Sequence, residues 1–389
     1  MRILFFGLEN SIHINRTLSW FVERGHFVSM ISRASSTNIP GVRYYDIDKM
    51  VPKGILGRIF IRLNQSRFHN NYFYVIIKFL AVRELFINKN FNIVFSYTVF
   101  NIFPGYLSLF SGFKPYVVMP LNGDLLWEVR SKSQGIIDRR QKWFVKFAVS
   151  RADFVTASSR QMYNAWLKHG AKPSKIKIIV DPGTDTEIFS PRAKDNDLID
   201  QLNIKDNPVV LSTRTLGGLY NVDYIVRAIP KVLEKIPSTK FVFIWHSAEE
   251  NQKEYLRTLS EQLGVENNTI FFGHLSSYSD VARFFSIADV FVSLSGYDTV
   301  PNSLLEAMAS GVPPICADLP PLREWINNGH NGFIVPQQDS ESTASRIIEI
   351  LSDSDLAKKF SKINRNLVVE EADFKSQMLK LESIFNSLI

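Results

Sequence analysis

A chain of 389 residues is longer than one hydrophobic core usually organises, and its 45% apolar residues suffice for two. Its one cysteine, Cys316, excludes an internal disulfide framework and suits a reducing compartment. The net charge of +7 conceals an imbalance: residues 1–194 hold 28 Lys+Arg against 12 Asp+Glu, whereas residues 195–389 hold 17 against 26, so the two halves are expected to meet different partners.

The N-terminal half alternates strand and helix patterns. Residues 3–7 form too short an apolar run for a signal peptide and read as a buried strand. Leu8 to His13 lead into a helix ending near Arg24-Gly25, and residues 26–31 read as the next strand, opening a βαβ unit. The first loop has a single glycine, Gly7, so the G-x-G-x-x-G fingerprint is absent and an NAD enzyme is disfavoured. Gly7 and His13 are candidates to line a cleft there, although a lone histidine is more often incidental. Between residues 49 and 89, Lys53, Arg58, Arg62, Arg67, Lys78, Arg83 and Lys89 are interleaved with Ile59, Phe60, Leu63, Phe68, Tyr72 and Phe79. An anionic membrane surface attracts such a pattern, and solvated helix faces over a core also produce it.

The uncharged window 91–113 is long enough to cross a bilayer. Asn92, Ser96, Thr98, Asn101 and a Pro104-Gly105 turn interrupt it, so a strand, loop and short helix are expected, and no transmembrane segment. A strand over 115–119 runs into Pro120-Leu121-Asn122-Gly123-Asp124, where Asn122 and Asp124 are cleft candidates or members of an ordinary Asn-Gly turn. A basic amphipathic helix is expected over 137–150. Ile178-Ile179-Val180-Asp181-Pro182-Gly183 reads as a buried strand stopped by a tight turn, and the polar run 191–208 as a linker.

The second half opens with a strand over 209–213 that ends in Arg214, a guanidinium fork suited to phosphate oxygens. A helix over 222–234, a strand over 240–245, a charged helix over 249–263 and a strand over 269–272 follow. Residues 290–292 then form a strand that breaks into the polar turn Ser295-Gly296-Tyr297-Asp298-Thr299-Val300-Pro301. The good helix formers of Ser303-Leu304-Leu305-Glu306-Ala307-Met308-Ala309 end at Gly311-Val312-Pro313. In an open α/β sheet the loop beyond such a strand, facing free amides of the next helix, suits an anionic ligand. Asp298 and Glu306 bracket the turn with seven residues between them. Taken alone, Ser303 and Glu306 also fit a capping box, and Asp298 a plain turn residue.

This spacing resembles the E-x7-E signature of the retaining glycosyltransferases of family 4, which have the GT-B fold. The resemblance extends to Arg24-Gly25-His26-Phe27-Val28, to the Pro182-Gly183-Thr184-Asp185 to Phe189 stretch, and to Gly329-His330-Asn331-Gly332-Phe333 near the end. It implies an α/β chain of two doubly wound Rossmann-like domains facing across a cleft: residues 1–190 on the acceptor side, residues 191–372 binding the nucleotide sugar, and a helix over 373–389 packing back on the first. Carried over, Asp298 faces the donor sugar, Glu306 holds the ribose, and Asn302, Ser303 and Leu304 meet the phosphates with Arg214. Asn122 and Asp124 stand where the family has a His-Gly-x-Asp-like turn. The sequence also departs from the family pattern. Asp298 is one methylene shorter than the usual Glu, Asn122 replaces a His, and Leu219, Tyr220 and Asn221 stand where the family adds a Lys.

The expected activity is transfer of a sugar, with retention, from a donor such as a UDP- or GDP-sugar to a glycan or lipid-linked acceptor. The family generally binds no catalytic metal, so neither metal nor cofactor is expected. The resemblance and the basic half point to a cytoplasmic protein held peripherally at the inner face of the cell membrane, serving cell-surface polysaccharide or glycolipid synthesis, with nucleic acid not the expected partner. A sugar-nucleotide epimerase on the same fold and a non-catalytic binding subunit remain open alternatives.

Overall fold

The computed structural model describes residues 1–7, 12–32, 38–46, 49–50, 80–85, 90–97, 115–119, 145–147, 149–180, 183–245, 250–275, 277–298 and 302–389. The basic cluster of residues 53–78, Asn122, Asp124 and most of the expected helix over 137–150 lie outside the described residues. The chain divides into two compact units, residues 1–182 with 378–389, and residues 183–377.

The first unit is built on a seven-stranded sheet of order β3-β2-β1-β4-β5-β6-β7. Its strands are β1 (Arg2–Phe6), β2 (Phe27–Ser32), β3 (Val42–Asp46), β4 (Ile93–Ser96), β5 (Tyr116–Val118), β6 (Phe154–Ala157) and β7 (Ile176–Ile178). Each pairing is parallel, with Phe5 opposite both Met30 and Phe95. A parallel sheet is covered on both faces, which is why Ile3–Phe6 of β1 and Ile93–Phe95 of β4 are continuous apolar runs rather than alternating. The helix Ile12–Glu23 follows β1. An aromatic cluster of Phe5, Phe21, Phe95 and Phe385 joins strand, helix and chain end, with ring centroids 5.2–5.8 Å apart. Phe385 belongs to the helix Phe374–Asn386. From that helix the buried Glu382 accepts from Arg24 Nε at 2.7 Å and meets His26 Nε2 at 2.8 Å. Burial alone would raise the Glu382 pKa; the bonds to His26 and Arg24 outweigh it and hold the carboxyl below its ordinary range.

The second unit has a six-stranded parallel sheet of order β10-β9-β8-β11-β12-β13. Its strands are β8 (Val209–Ser212), β9 (Lys240–Trp245), β10 (Thr269–His274), β11 (Val290–Ser293), β12 (Pro314–Ala317) and β13 (Phe333–Val335). The helices Val222–Lys235 and Ser340–Ser352 supply much of the core beside this sheet, through Ile225, Val226, Ile229, Ala344 and Ile347. Short polar side chains start three helices of this unit: Ser277 before Tyr278–Ile287, Asp339 before Ser340–Ser352 and Asp353 before Ser354–Glu371 each accept from an amide one turn on.

Two details differ from the sequence reading. The polar run 191–208 is no extended linker. It contains the helix Asn196–Leu202, capped by Asp195, which Arg283 grips through Nε at 2.6 Å, and it buries Leu198. The turn after Gly183 packs within the second unit: Phe189 lies edge-on to Tyr278 and Phe285, and Arg365 donates to the carbonyls of Thr186, Phe189 and Ala309. Gly183 has φ +80°, and a Cβ there would meet the Ala372 carbonyl at 2.7 Å, so the glycine is required. Among the described residues no helix is long and apolar enough to cross a membrane. Residues 93–96 of the uncharged window are β4, and its residues 98–113 lie outside the described residues.

Candidate donor site at the carboxyl ends of β8 and β11

In the second sheet β8 lies beside β11, and the chain runs outward from β8 on one side and from β11 on the other. This is a topological switch point, where successive helices depart to opposite faces and leave a crevice beyond the carboxyl ends of the two central strands. Arg214 follows β8 by two residues, and Asp298 follows β11 by five. Sheet pairing therefore joins residues 84 apart in sequence: Arg214 Nη2 donates to Asp298 Oδ2 at 2.7 Å. The two side chains are 12% and 6% exposed, so this is a buried ion pair.

The helix Asn302–Ala309 begins beside it. Ser303 is the second residue of that helix, not the residue before it, and its hydroxyl accepts from Arg214 Nη1 at 3.0 Å. The capping-box reading of Ser303 thus gives way to a contact with the arginine. Leu304 is fully buried on the helix's inner face, leaving its backbone as the part able to meet a ligand, and Glu306 is 9% exposed one turn further on. Asn302 opens the helix where amide donors lack intrahelical partners.

The segment expected to carry a lysine instead supplies a ring. Tyr220 ends the short turn Gly218–Tyr220, and the guanidinium carbon of Arg214 lies 4.8 Å from its ring centroid, within cation–π range. Asn221 takes the left-handed conformation, φ +50°, which asparagine tolerates better than most residues. It is 4% exposed, donates through Nδ2 to the Leu294 carbonyl at 2.8 Å, and so braces the loop after β11 rather than lining open space. Gly296 N–H donates to the Leu219 carbonyl at 2.8 Å, and a Cβ on Gly296 would stand 3.3 Å from that oxygen. The two loops are stitched so closely that Arg214 and Asp298 meet.

Cys316, which the sequence singled out only for redox reasons, lies on β12 opposite Ser293 in this same corner. Burial pushes its thiol up to about 12, with Arg214 lowering it and Asp298 raising it by lesser amounts, so it is an inert neighbour of the pair. Buried hydroxyls on Ser212 and Thr213 and the buried Nε of Arg214 have no hydrogen-bond partner. No local motif marks this polar floor; only the strand register assembles it.

The remaining expected residues lie in the first unit. Gly7 directly follows β1, and a Cβ there would stand 2.9 Å from Ile14 Cδ1 and 3.4 Å from Tyr97 Cβ, so the glycine allows helix and strands to close up. His13 is in the helix Ile12–Glu23. A groove of about 1210 Å³ in the second unit lies elsewhere, among Pro191, Lys205, Val209, Pro313, Lys358 and Lys362. Val209 and Pro313 sit at the amino-terminal edge of the sheet, the wrong end for the switch-point crevice, and the groove is not read as the donor site.

Comparison with known proteins agrees with this fold. Residues 11–188 match the model of Glycosyltransferase Family 4, and residues 194–367 that of Glycosyl transferases group 1. The putative glycosyltransferase EpsD of Bacillus subtilis is 26% identical over 248 residues, 61% of this chain and 60% of that protein. UDP-Gal:alpha-D-GlcNAc-diphosphoundecaprenol alpha-1,3-galactosyltransferase of Escherichia coli is 23% identical over 282 residues, 71% of this chain and 70% of its own. The chain thus spans less than two thirds of the length of EpsD and only 37% and 60% of two other curated relatives. Anabaena HepE, solved in complex with UDP and glucose, has the same fold, with a TM-score of 0.75 over 100% of both chains at 18% identity. Two family models that between them take in nearly the whole chain, and two parallel α/β units with a phosphate-suited arginine at a switch point, lead to one assignment: the chain belongs to the group 1 glycosyltransferases of the GT-B fold.

Proposed function

We propose that this glycosyltransferase moves a hexose, with retention at the anomeric carbon, from a UDP- or GDP-sugar to a glycan or lipid-linked acceptor at a membrane surface. The observation that carries the reading is Arg214 beside the amino end of the helix Asn302–Ala309 at the β8/β11 switch point. A cation and a row of helix amides converge there, as stabilisation of a departing diphosphate requires. Glu306 would hold the ribose and Asp298 face the sugar. In the reaction the anomeric C–O bond to the phosphate breaks while the acceptor oxygen bonds on the same face. The acceptor proton passes to a phosphate oxygen, so no protein nucleophile or metal is needed.

The relatives support the choice of substrates: the Escherichia coli protein is named for a UDP-sugar donor and a diphosphoundecaprenol-linked acceptor, and HepE was solved with UDP and glucose. The acceptor side is assigned to the basic first unit. There, residues 154–180 carry Arg160, Lys168, Lys172, Lys175 and Lys177 and no acid, and Leu167 and Ile178 are 37% and 45% exposed. Cations beside exposed aliphatics suit anionic lipid. A cytoplasmic location at the inner membrane face and a role in cell-surface polysaccharide or glycolipid synthesis follow from that reading.

The test is incubation of the protein with UDP- and GDP-hexoses and a polyprenyl-diphosphate-linked sugar, with the anomeric configuration of the product read by NMR. An α-linked product from an α-linked donor is expected, and an inverted product would sink the retaining mechanism. Consumption of donor without acceptor, yielding an epimer, would establish the epimerase instead. The subunit reading has one observation in its favour, the occupation of Arg214 by Asp298. It would show nucleotide binding without turnover until a partner is added. Flotation with neutral and phosphatidylglycerol vesicles tests the membrane reading, which fails if neither is bound.

A further inference from the structure

We propose that the Asp298 carboxylate and a diphosphate are alternative partners of Arg214, so that a nucleotide enters and leaves the site by exchanging with this chain's own acid. The inference rests on the donor-site reading above and concerns how that site is regulated.

The hydrogen bonds of Arg214 show why one anion can replace the other. A guanidinium presents Nε and Nη2 along one edge, a fork that takes two oxygens of a phosphate or carboxylate side by side. Asp298 uses only half of it: Oδ2 accepts from Nη2 at 2.7 Å, while Nε is buried with no hydrogen-bond partner. A buried, unsatisfied donor is costly, and it points to a ligand that fills the fork more completely than this aspartate does. A phosphoryl group has the oxygens to do so. The other end of the guanidinium is fixed, since Nη1 donates to Ser303 Oγ and the Tyr220 ring lies against one face. Arg214 is therefore held in position whichever anion occupies the fork.

The exchange also meets an electrostatic requirement. The pair is 12% and 6% exposed, and a charge left there without a partner would be strongly destabilising. Replacing one anion by another keeps the guanidinium neutralised throughout. A diphosphate on Arg214 would repel the Asp298 carboxylate, which is then released to accept from a hydroxyl of the donor sugar. When the product diphosphate departs, Asp298 recaptures Arg214, lowering the affinity for product and favouring turnover. Competition of this kind weakens apparent binding in proportion to the fraction of Arg214 that Asp298 holds.

Calorimetry of UDP, GDP and inorganic pyrophosphate with the wild-type chain and with Asp298→Asn tests this. The amide is isosteric, and its oxygen can still accept from Nη2, so the fold is kept; thermal melting of each variant verifies that. The variant is expected to bind pyrophosphate and one nucleoside diphosphate about tenfold more tightly than wild type, while the affinity for the corresponding nucleoside is unchanged. Nucleotide binding that is equal or weaker in Asp298→Asn would overturn the exchange and leave the donor-site reading standing. Tighter pyrophosphate binding with no nucleotide bound would support the exchange and count against the nucleotide reading, and no binding of any anion would overturn both.

A second readout separates exchange from simple repulsion. Cys316, the chain's one thiol, is buried within the field of both groups, so its S–H stretch reports their arrangement. Pyrophosphate is expected to shift that band in the wild type and to shift it less in Asp298→Asn. A band that stays put in the wild type while the anion binds would show that Asp298 never leaves, and would overturn the exchange.

Discussion

In both units the strands run outward from a central pair, β1 with β4 in the first and β8 with β11 in the second, so each sheet has a switch point of the same kind. The residues beyond those strands differ. Among the described residues of the first unit, Gly7 follows β1 and leaves room for Ile14 and Tyr97. The second places a buried ion pair there, stitched by Asn221 and Gly296 and stacked on Tyr220. Topology supplies the switch point, and the side chains at the strand ends decide what chemistry it can hold.

Substitutions on the two sides sharpen this contrast. Asp298→Ala strands a buried guanidinium and should cost about 3–5 kcal/mol in urea unfolding. A loss below about 1 kcal/mol would mean that the pair is effectively solvated. Arg214→Ala should lower kcat/KM for sugar transfer by about 10² to 10³, the effect typical of losing one contact to a developing anion. In the first unit, Gly7→Val should instead cost about 1–3 kcal/mol by overpacking against Ile14 and Tyr97, measured by the unfolding midpoint.

The smallest effect concerns the helix Phe374–Asn386. The folded Glu382 pKa lies below its ordinary 4.5, so its contribution is present above that pH and is lost as pH falls through the folded value. Glu382→Gln should cost about 1 kcal/mol at pH 7, little because Arg24 is 45% exposed, and the loss should vanish in acid. A variant whose deficit persists unchanged below pH 3 would place the effect in packing rather than charge.

Much of the architecture was legible because parallel strands are written as continuous apolar runs. The strand Lys240–Trp245 lies where the sequence puts it, and the helix Asn302–Ala309 begins within a residue of its expected start. β3 escaped notice since Val42–Asp46 carries a polar, half-exposed pattern typical of a sheet edge. The helix Asn196–Leu202 was hidden in a polar run because one buried leucine and an Asp195–Arg283 contact hold it, neither of which has a periodic signature. At the site the family resemblance grouped Arg214, Asp298 and Ser303 around a donor without saying that they touch one another. Their mutual contacts depend on which strands become neighbours, and the stacking of Tyr220 under Arg214 depends on a loop conformation that no residue pattern encodes.

The most direct test of the account is nucleotide-dependent thermal stabilisation of the wild type and of Arg214→Ala, each melted with UDP and with GDP. At a hundred times its dissociation constant a nucleotide should add about 2.7 kcal/mol to the wild type, and the same concentration should add little to the variant. Stabilisation that survives intact in Arg214→Ala would contradict the assignment of the β8/β11 switch point as the donor site.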